Sequence, residues 1–249
     1  MRKKLVAGNW KMHGTLASVQ TLTQQILAGK KDLNCEVALF PTSIHLPIVS
    51  ELLKDSDILF GAQNFYPEPS GAFTGEISLS MIKELSASMV LVGHSERRQL
   101  FGENHALIAA KFKVAVEGHF RPILCVGETR AEREAGDTEN IIREQLASVV
   151  EAVSIDAFRF GVVAYEPVWA IGTGLTATPE QAQSVHAFIR AEMRQHSAPI
   201  AEGLQVLYGG SVKASNAAAL FAMPDVDGAL VGGASLISEE FLAICRAAR

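Results

Sequence analysis

Most of what would commit this chain to a membrane, a nucleic acid or an oxidising compartment is missing from it. Its 249 residues hold only three cysteines, Cys35, Cys125 and Cys245. An odd number without a short paired spacing suits neither a disulfide framework nor a zinc site, so reduced thiols in a cytoplasmic protein are expected. No apolar run approaches the ~18 residues that cross a bilayer, and strand-like sequence begins directly after Arg2-Lys3-Lys4. Neither a membrane partner nor a signal segment is therefore expected. Positive charge is short as well: 22 Lys and Arg against 27 Asp and Glu leave a net charge of −5. That balance argues against nucleic acid as a partner and leaves any bound anion to backbone amides and single basic residues. There is no Ser/Pro-rich linker, low-complexity tract or charge block, so residues 1–249 are expected to form a single domain. No G-x-G-x-x-G follows the first strand, and no H-E-x-x-H or paired-cysteine ligand set occurs, so no metal or organic cofactor is expected.

What is present is regular. Short apolar runs recur: Leu5-Val6-Ala7, Val37-Ala38-Leu39-Phe40, Ile58-Leu59-Phe60 and Met89-Val90-Leu91-Val92. They continue with Ile123-Leu124-Cys125-Val126, Phe160-Gly161-Val162-Val163-Ala164, Val206-Leu207-Tyr208 and Ala229-Leu230-Val231. The runs are continuous rather than alternating, as in strands buried on both faces of a parallel sheet. Between them, stretches such as 106–118, 141–153 and 179–193 carry apolar residues at helical spacing. The last of these opens with Thr178-Pro179, a good N-cap followed by proline in the first turn. Eight strands alternating with helices predict an α/β fold, a (β/α)8 barrel of eight parallel strands ringed by helices. A doubly wound open sheet is the alternative that pattern alone leaves.

Polar residues cluster just past the strand ends, where such barrels carry their active sites: Asn9 and Lys11, Gln63 and Asn64, His94 to Glu96, Glu128, and Glu166. Residues 165–174, Tyr-Glu-Pro-Val-Trp-Ala-Ile-Gly-Thr-Gly, are the most informative of these. Pro167 stops the sixth strand just after Glu166, and an apolar patch closed by glycines follows, as a rigid flap with two hinges requires. A carboxylate at the base of a flap suggests a general base covered when substrate binds. Taken alone, the segment also reads as a glycine-rich surface loop with a solvated Glu.

The other constellations narrow that choice. Gly209-Gly210-Ser211 and Gly232-Gly233 follow the seventh and eighth strands, a recurrent phosphate-binding place in barrels, where glycines let backbone amides approach a ligand. Lys11 follows a buried strand end, with Glu96 as counter-charge. His94 precedes Ser95, which is expected to cap a short helix, and a helix N-terminus should keep the imidazole neutral. Cys125 is expected to pack as a structural thiol, and Glu128 to be structural too. A Schiff-base barrel enzyme would want a lysine within a strand, and no strand core contains one. The loop from Asn64 to Ile77 holds Phe65, Tyr66 and Phe73, costly to leave exposed together.

Together, Gly8-Asn9-Trp10-Lys11, Gly93-His94-Ser95-Glu96-Arg97-Arg98, residues 165–174, Gly209-Gly210-Ser211 and Val231-Gly232-Gly233-Ala234 resemble the motifs of the triosephosphate isomerase family. The resemblance covers the whole chain. It implies a TIM barrel that interconverts dihydroxyacetone phosphate and D-glyceraldehyde 3-phosphate, in glycolysis and gluconeogenesis, through an enediolate. Glu166 is implied as the base, with His94, Asn9 and Lys11 stabilising the enediolate oxygens; the neutral imidazole is that family's known device and comes with the resemblance. Gly172, Ser211, Gly232 and Gly233 are implied to grip the phosphate. Tyr208 and Ser211 are implied to hold the closed flap through the backbone near Ala177 and Gly174, and Ser95 to hold Glu166 when the flap is open. The 64–77 loop implies a homodimer, with Thr74 close to Asn9 and Lys11 of the partner subunit. Departures at His13, Leu175-Thr176 and Lys213-Ala214 touch none of these roles.

Overall fold

The computed structural model describes residues 2–171 and 176–249. The strands are β1 (Leu5–Asn9), β2 (Glu36–Phe40), β3 (Leu59–Ala62), β4 (Met89–Val92), β5 (Arg121–Val126), β6 (Val162–Tyr165), β7 (Gln205–Tyr208) and β8 (Gly228–Val231). They pair in sequence order, all parallel, and β1 returns to β8 with Leu5 opposite Gly228, so the barrel closes and the open-sheet alternative falls away. Helices follow the strands and ring the barrel, as right-handed crossovers between parallel neighbours require.

Each strand divides its side chains between two cores. Leu5 and Ala7, Ala38 and Phe40, Met89 and Leu91, Ile123 and Cys125, and Val162 and Ala164 fill the barrel interior with Leu207 and Leu230. The intervening Val6, Val37, Leu39, Val90, Leu124, Val163 and Val206 pack outward under the helices. Both faces are buried, which is why the runs read as continuous rather than alternating.

Some element ends differ from expectation. Phe160 is not part of β6; it is 63% exposed, and the chain before Val162 is a short 3-10 helix, Ile155–Arg159. Ile58 is buried but lies before β3. The helix after Thr178 runs to His196, three residues beyond the apolar pattern, with Arg194 and His196 favouring its C-terminal dipole. Thr178 and Gln181 form a reciprocal capping box at its start, as the Thr-Pro signal predicts. Among the described residues no helix is long and apolar enough to cross a membrane.

Candidate active site

The two-residue period of the strands aims the site. Continuing the inward series Leu5, Ala7 brings Asn9 to the barrel axis; Val162, Ala164 brings Glu166; Leu207 brings Gly209; and Leu230 brings Gly232. All four line one cavity of about 400 Å³ at the C-terminal mouth of the barrel. The fourth strand breaks this rule. Gly93 has a φ of 72°, a left-handed conformation that costs glycine little, and His94 takes the cavity-lining place instead.

Glu166 is 2% exposed and far from bare. One carboxylate oxygen accepts the Ser95 amide at 2.8 Å and the other meets Nε2 of His94 at 2.9 Å. Ser95 thus holds the carboxylate, through its backbone. The cap of the short helix Ser95–Leu100 is His94 itself rather than Ser95: its Nδ1 accepts the Glu96 amide at 3.3 Å. An acceptor Nδ1 carries no proton, so the proton of the neutral ring lies on Nε2 and points at Glu166. Burial alone would push the imidazole's pKa down, but the adjoining Glu166 carboxylate outweighs it and holds the ring above its ordinary 6.5. The neutral state expected from the helix N-terminus is therefore opposed while Glu166 rests on the ring. Burial penalises the Glu166 carboxylate in turn, yet His94, the Ser95 amide and Lys11 hold its pKa below the ordinary 4.5.

Lys11 meets Glu96 at 2.5 Å, the counter-charge expected. Its backbone sits at φ 52°, an unusual conformation for a lysine, and is held on both sides. The Lys11 amide donates to Oδ1 of Asn9 at 3.1 Å, and Nε2 of Gln63 donates to the Lys11 carbonyl at 2.9 Å and to the Phe40 carbonyl at 2.8 Å. Strain maintained by two side chains at a cavity wall suggests that the position of the ammonium matters. Ser211, Gly232 and Gly233 line the same cavity, with a Cβ at Gly232 falling 3.6 Å from Cε of Lys11, so the residues of five separate strand ends share one space.

A family model described as triosephosphate isomerase matches residues 4–248. The chain belongs to the triosephosphate isomerase family. It is 52% identical to the triosephosphate isomerase of Dechloromonas aromatica over 248 residues, covering all of both chains. It is 54% identical to that of Pseudomonas entomophila, over all of this chain and 99% of the relative, and 49% identical to that of Methylococcus capsulatus, over 98% of each. As a member of that family it is an aldose–ketose isomerase of triose phosphates, in glycolysis.

Against the family's motifs, Gly172 and Gly174 lie outside the described residues. Ala177 is buried beyond them. Among the described residues the buried Tyr208 hydroxyl has no hydrogen-bond partner, while burial pushes its pKa up to about 12 and the nearby Ala177 amide opposes the rise. The hydroxyl thus lies near the Ala177 amide. Glu128 is fully buried and anchors the segment that follows β6: Oε1 accepts from the Tyr165 hydroxyl, the Trp169 indole and Arg133, each at 3.0 Å, and the Glu128 carbonyl accepts the Val168 amide at 3.1 Å. Burial and the Glu166 charge push the Cys125 thiol well up, so it stays protonated and packs. Thr74 is exposed on the loop after Phe65, which is itself buried, and the Tyr66 ring packs against Phe73 at a tilt of 38°, with ring centroids 4.5 Å apart.

Sequence reading missed several supports. Gln63 carries no motif that announces its grip on Lys11. The buried Glu103 carboxylate joins Arg97 (2.5 Å) to Lys111, and Lys111 reaches Oδ1 of Asn64 at 2.6 Å, which ties the 64–77 loop to the His94 helix. From the sequence Gly209 is expected only as a phosphate-side glycine. A Cβ there would sit 2.9 Å from Cγ of Glu166 and 3.0 Å from the Tyr165 carbonyl oxygen. Gly209→Ala is therefore expected to displace the carboxylate at a packing cost of about 1–3 kcal/mol. A roughly 1 Å misplacement costs about 10²-fold in rate, so kcat should fall by about that factor while the fold melts as one transition. Wild-type kcat in the alanine variant would show that the glycine gives Glu166 no needed room.

Proposed function

We propose that Glu166 removes a proton from C1 of dihydroxyacetone phosphate and returns it to C2, giving D-glyceraldehyde 3-phosphate through an enediolate. The electron pair left on C1 moves onto the carbonyl oxygen, where the Nε2 proton of His94 and the Lys11 ammonium meet the developing charge, with Asn9 alongside; His94 gives that oxygen its Nε2 proton and takes one back from the C1 hydroxyl, so that C1 becomes the aldehyde as Glu166 protonates C2. Backbone amides of Ser211, Gly232 and Gly233, with Gly172 of the flap, hold the phosphate. Flap closure, with Tyr208 and Ser211 bonding near Ala177 and Gly174, keeps water from an enediolate that would otherwise expel phosphate. The observation that carries this reading is the buried Glu166 carboxylate, 2.9 Å from His94 and in one cavity with Lys11 and the glycine amides. Turnover in D2O tests it: the aldose should gain deuterium at C2, whereas a direct hydride shift would leave C2 free of solvent deuterium and overturn the reading.

The whole chain acts as one barrel domain, cytoplasmic and paired as a homodimer through the 64–77 loop. Exposed Met12, Ile44, Leu100 and Phe101 support the dimer, as does a second cavity of about 450 Å³ lined by Lys11, Gln63, Glu96 and Phe101, which would take Thr74 of the partner subunit. Sedimentation at micromolar concentration should show a dimer, and a fully active monomer would refute it.

A further inference from the structure

The phosphate end of the cavity carries a cation that the proposed chemistry does not use. Past Ser211 the lining continues to Lys213, with His13 on the loop after β1 in the same cavity. Among the described residues the Lys213 ammonium enters no ion pair or hydrogen bond, whereas Lys11 is paired with Glu96 and Glu166 with His94. Its backbone is fixed nonetheless. The Lys213 amide donates to Oδ1 of Asn216 at 2.8 Å, Asn216 donates back to the Ser211 carbonyl at 3.1 Å, and the next amide, of Ala214, donates to Glu240 at 2.7 Å. The result is a solvent-exposed charge on a rigid base, beside the amides that the phosphate is proposed to meet.

The chain as a whole carries −5. A triose phosphate dianion therefore approaches against the mean field, and at the cavity the Lys11 ammonium is already paired with Glu96. We propose that Lys213 is an electrostatic capture residue: its unpaired ammonium draws the substrate's phosphate to the Ser211–Gly233 end and makes the site selective for a dianion over an uncharged triose. The inference rests on the phosphate placement proposed above. Steering of this kind acts on association and is screened by salt, because the Debye length contracts from about 30 Å at 0.01 M to about 3 Å at 1 M.

Isomerase kinetics of wild type, Lys213→Gln and Lys213→Glu across that salt range test it. At low salt kcat/KM for the triose phosphate is expected to fall about threefold in K213Q and about tenfold in K213E, through KM, and to converge on wild type near 1 M. Turnover of D-glyceraldehyde, which lacks the phosphate, should be equal in all three. The same salt slope in K213E as in wild type overturns the capture role, and an equal loss on D-glyceraldehyde assigns Lys213 a merely structural one. Both results leave the isomerase reading intact; an inactive wild type would overturn that reading and this inference together.

Discussion

Glu166→Gln is expected to lower kcat/KM for triose phosphate by about 10³–10⁴-fold, near the upper end of what a positioned general base supplies. The substitution keeps the volume of a side chain packed between His94 and the Ser95 amide, so lost activity would not be lost fold. What disappears is the acceptor: an amide cannot take a proton from carbon. Glu166→Asp keeps the carboxylate but withdraws it by one methylene, and a displacement of about 1 Å in a reacting pair costs about 10²-fold. The pH profile separates this base from the substrate. Its pKa is held below 4.5 in the resting site, so Glu166 is ionised at any pH above that value. An acid limb near or above pH 6 then belongs to the phosphate monoester, whose second ionisation lies at about 6, or to the His94 ring, held above its ordinary 6.5, and not to Glu166. A coupled isomerase assay with a thermal melt of each variant gives both readings. Activity of E166Q within tenfold of wild type, in a folded protein, would remove Glu166 from the mechanism.

The barrel was legible because its strands have nowhere polar to face. Two cores, inside and outside the sheet, make every strand a continuous apolar run, and eight such runs with helices between them leave few arrangements. The same period explains why Asn9 and Glu166 were legible: each stands two residues past an inward-facing alanine, Ala7 and Ala164. His94 obeys no such count, because Gly93 turns the chain first, and only its motif gave it away. The supports were hidden for a different reason. Gln63 reaches Lys11 across 52 positions, and Lys111, held by Glu103, reaches Asn64 across 47, contacts that no local pattern announces. Phe160 misled because local hydrophobicity cannot tell a strand's first residue from an exposed ring at the barrel's base.

His94→Gln should cost about 10²–10³-fold in kcat, the loss typical of removing one preorganised donor from an oxyanion site. The deeper question is the charge of the ring. In the resting site its pKa is raised above 6.5, burial being outweighed by the Glu166 carboxylate. That contact must break when Glu166 turns to the substrate carbon, leaving burial and the Glu96 amide at Nδ1 to favour the neutral ring. Glu166→Gln mimics the broken contact. Burial, the largest influence, then acts against the cation, with Lys11 on its side and only Glu96 opposing. The sign is therefore definite: a titration followed by imidazole 15N shifts should place His94 above 6.5 in wild type and below it in E166Q. A ring that stays above 6.5 without the carboxylate would mean that an imidazolium meets the substrate, and the neutral-donor role of His94 would have to be abandoned.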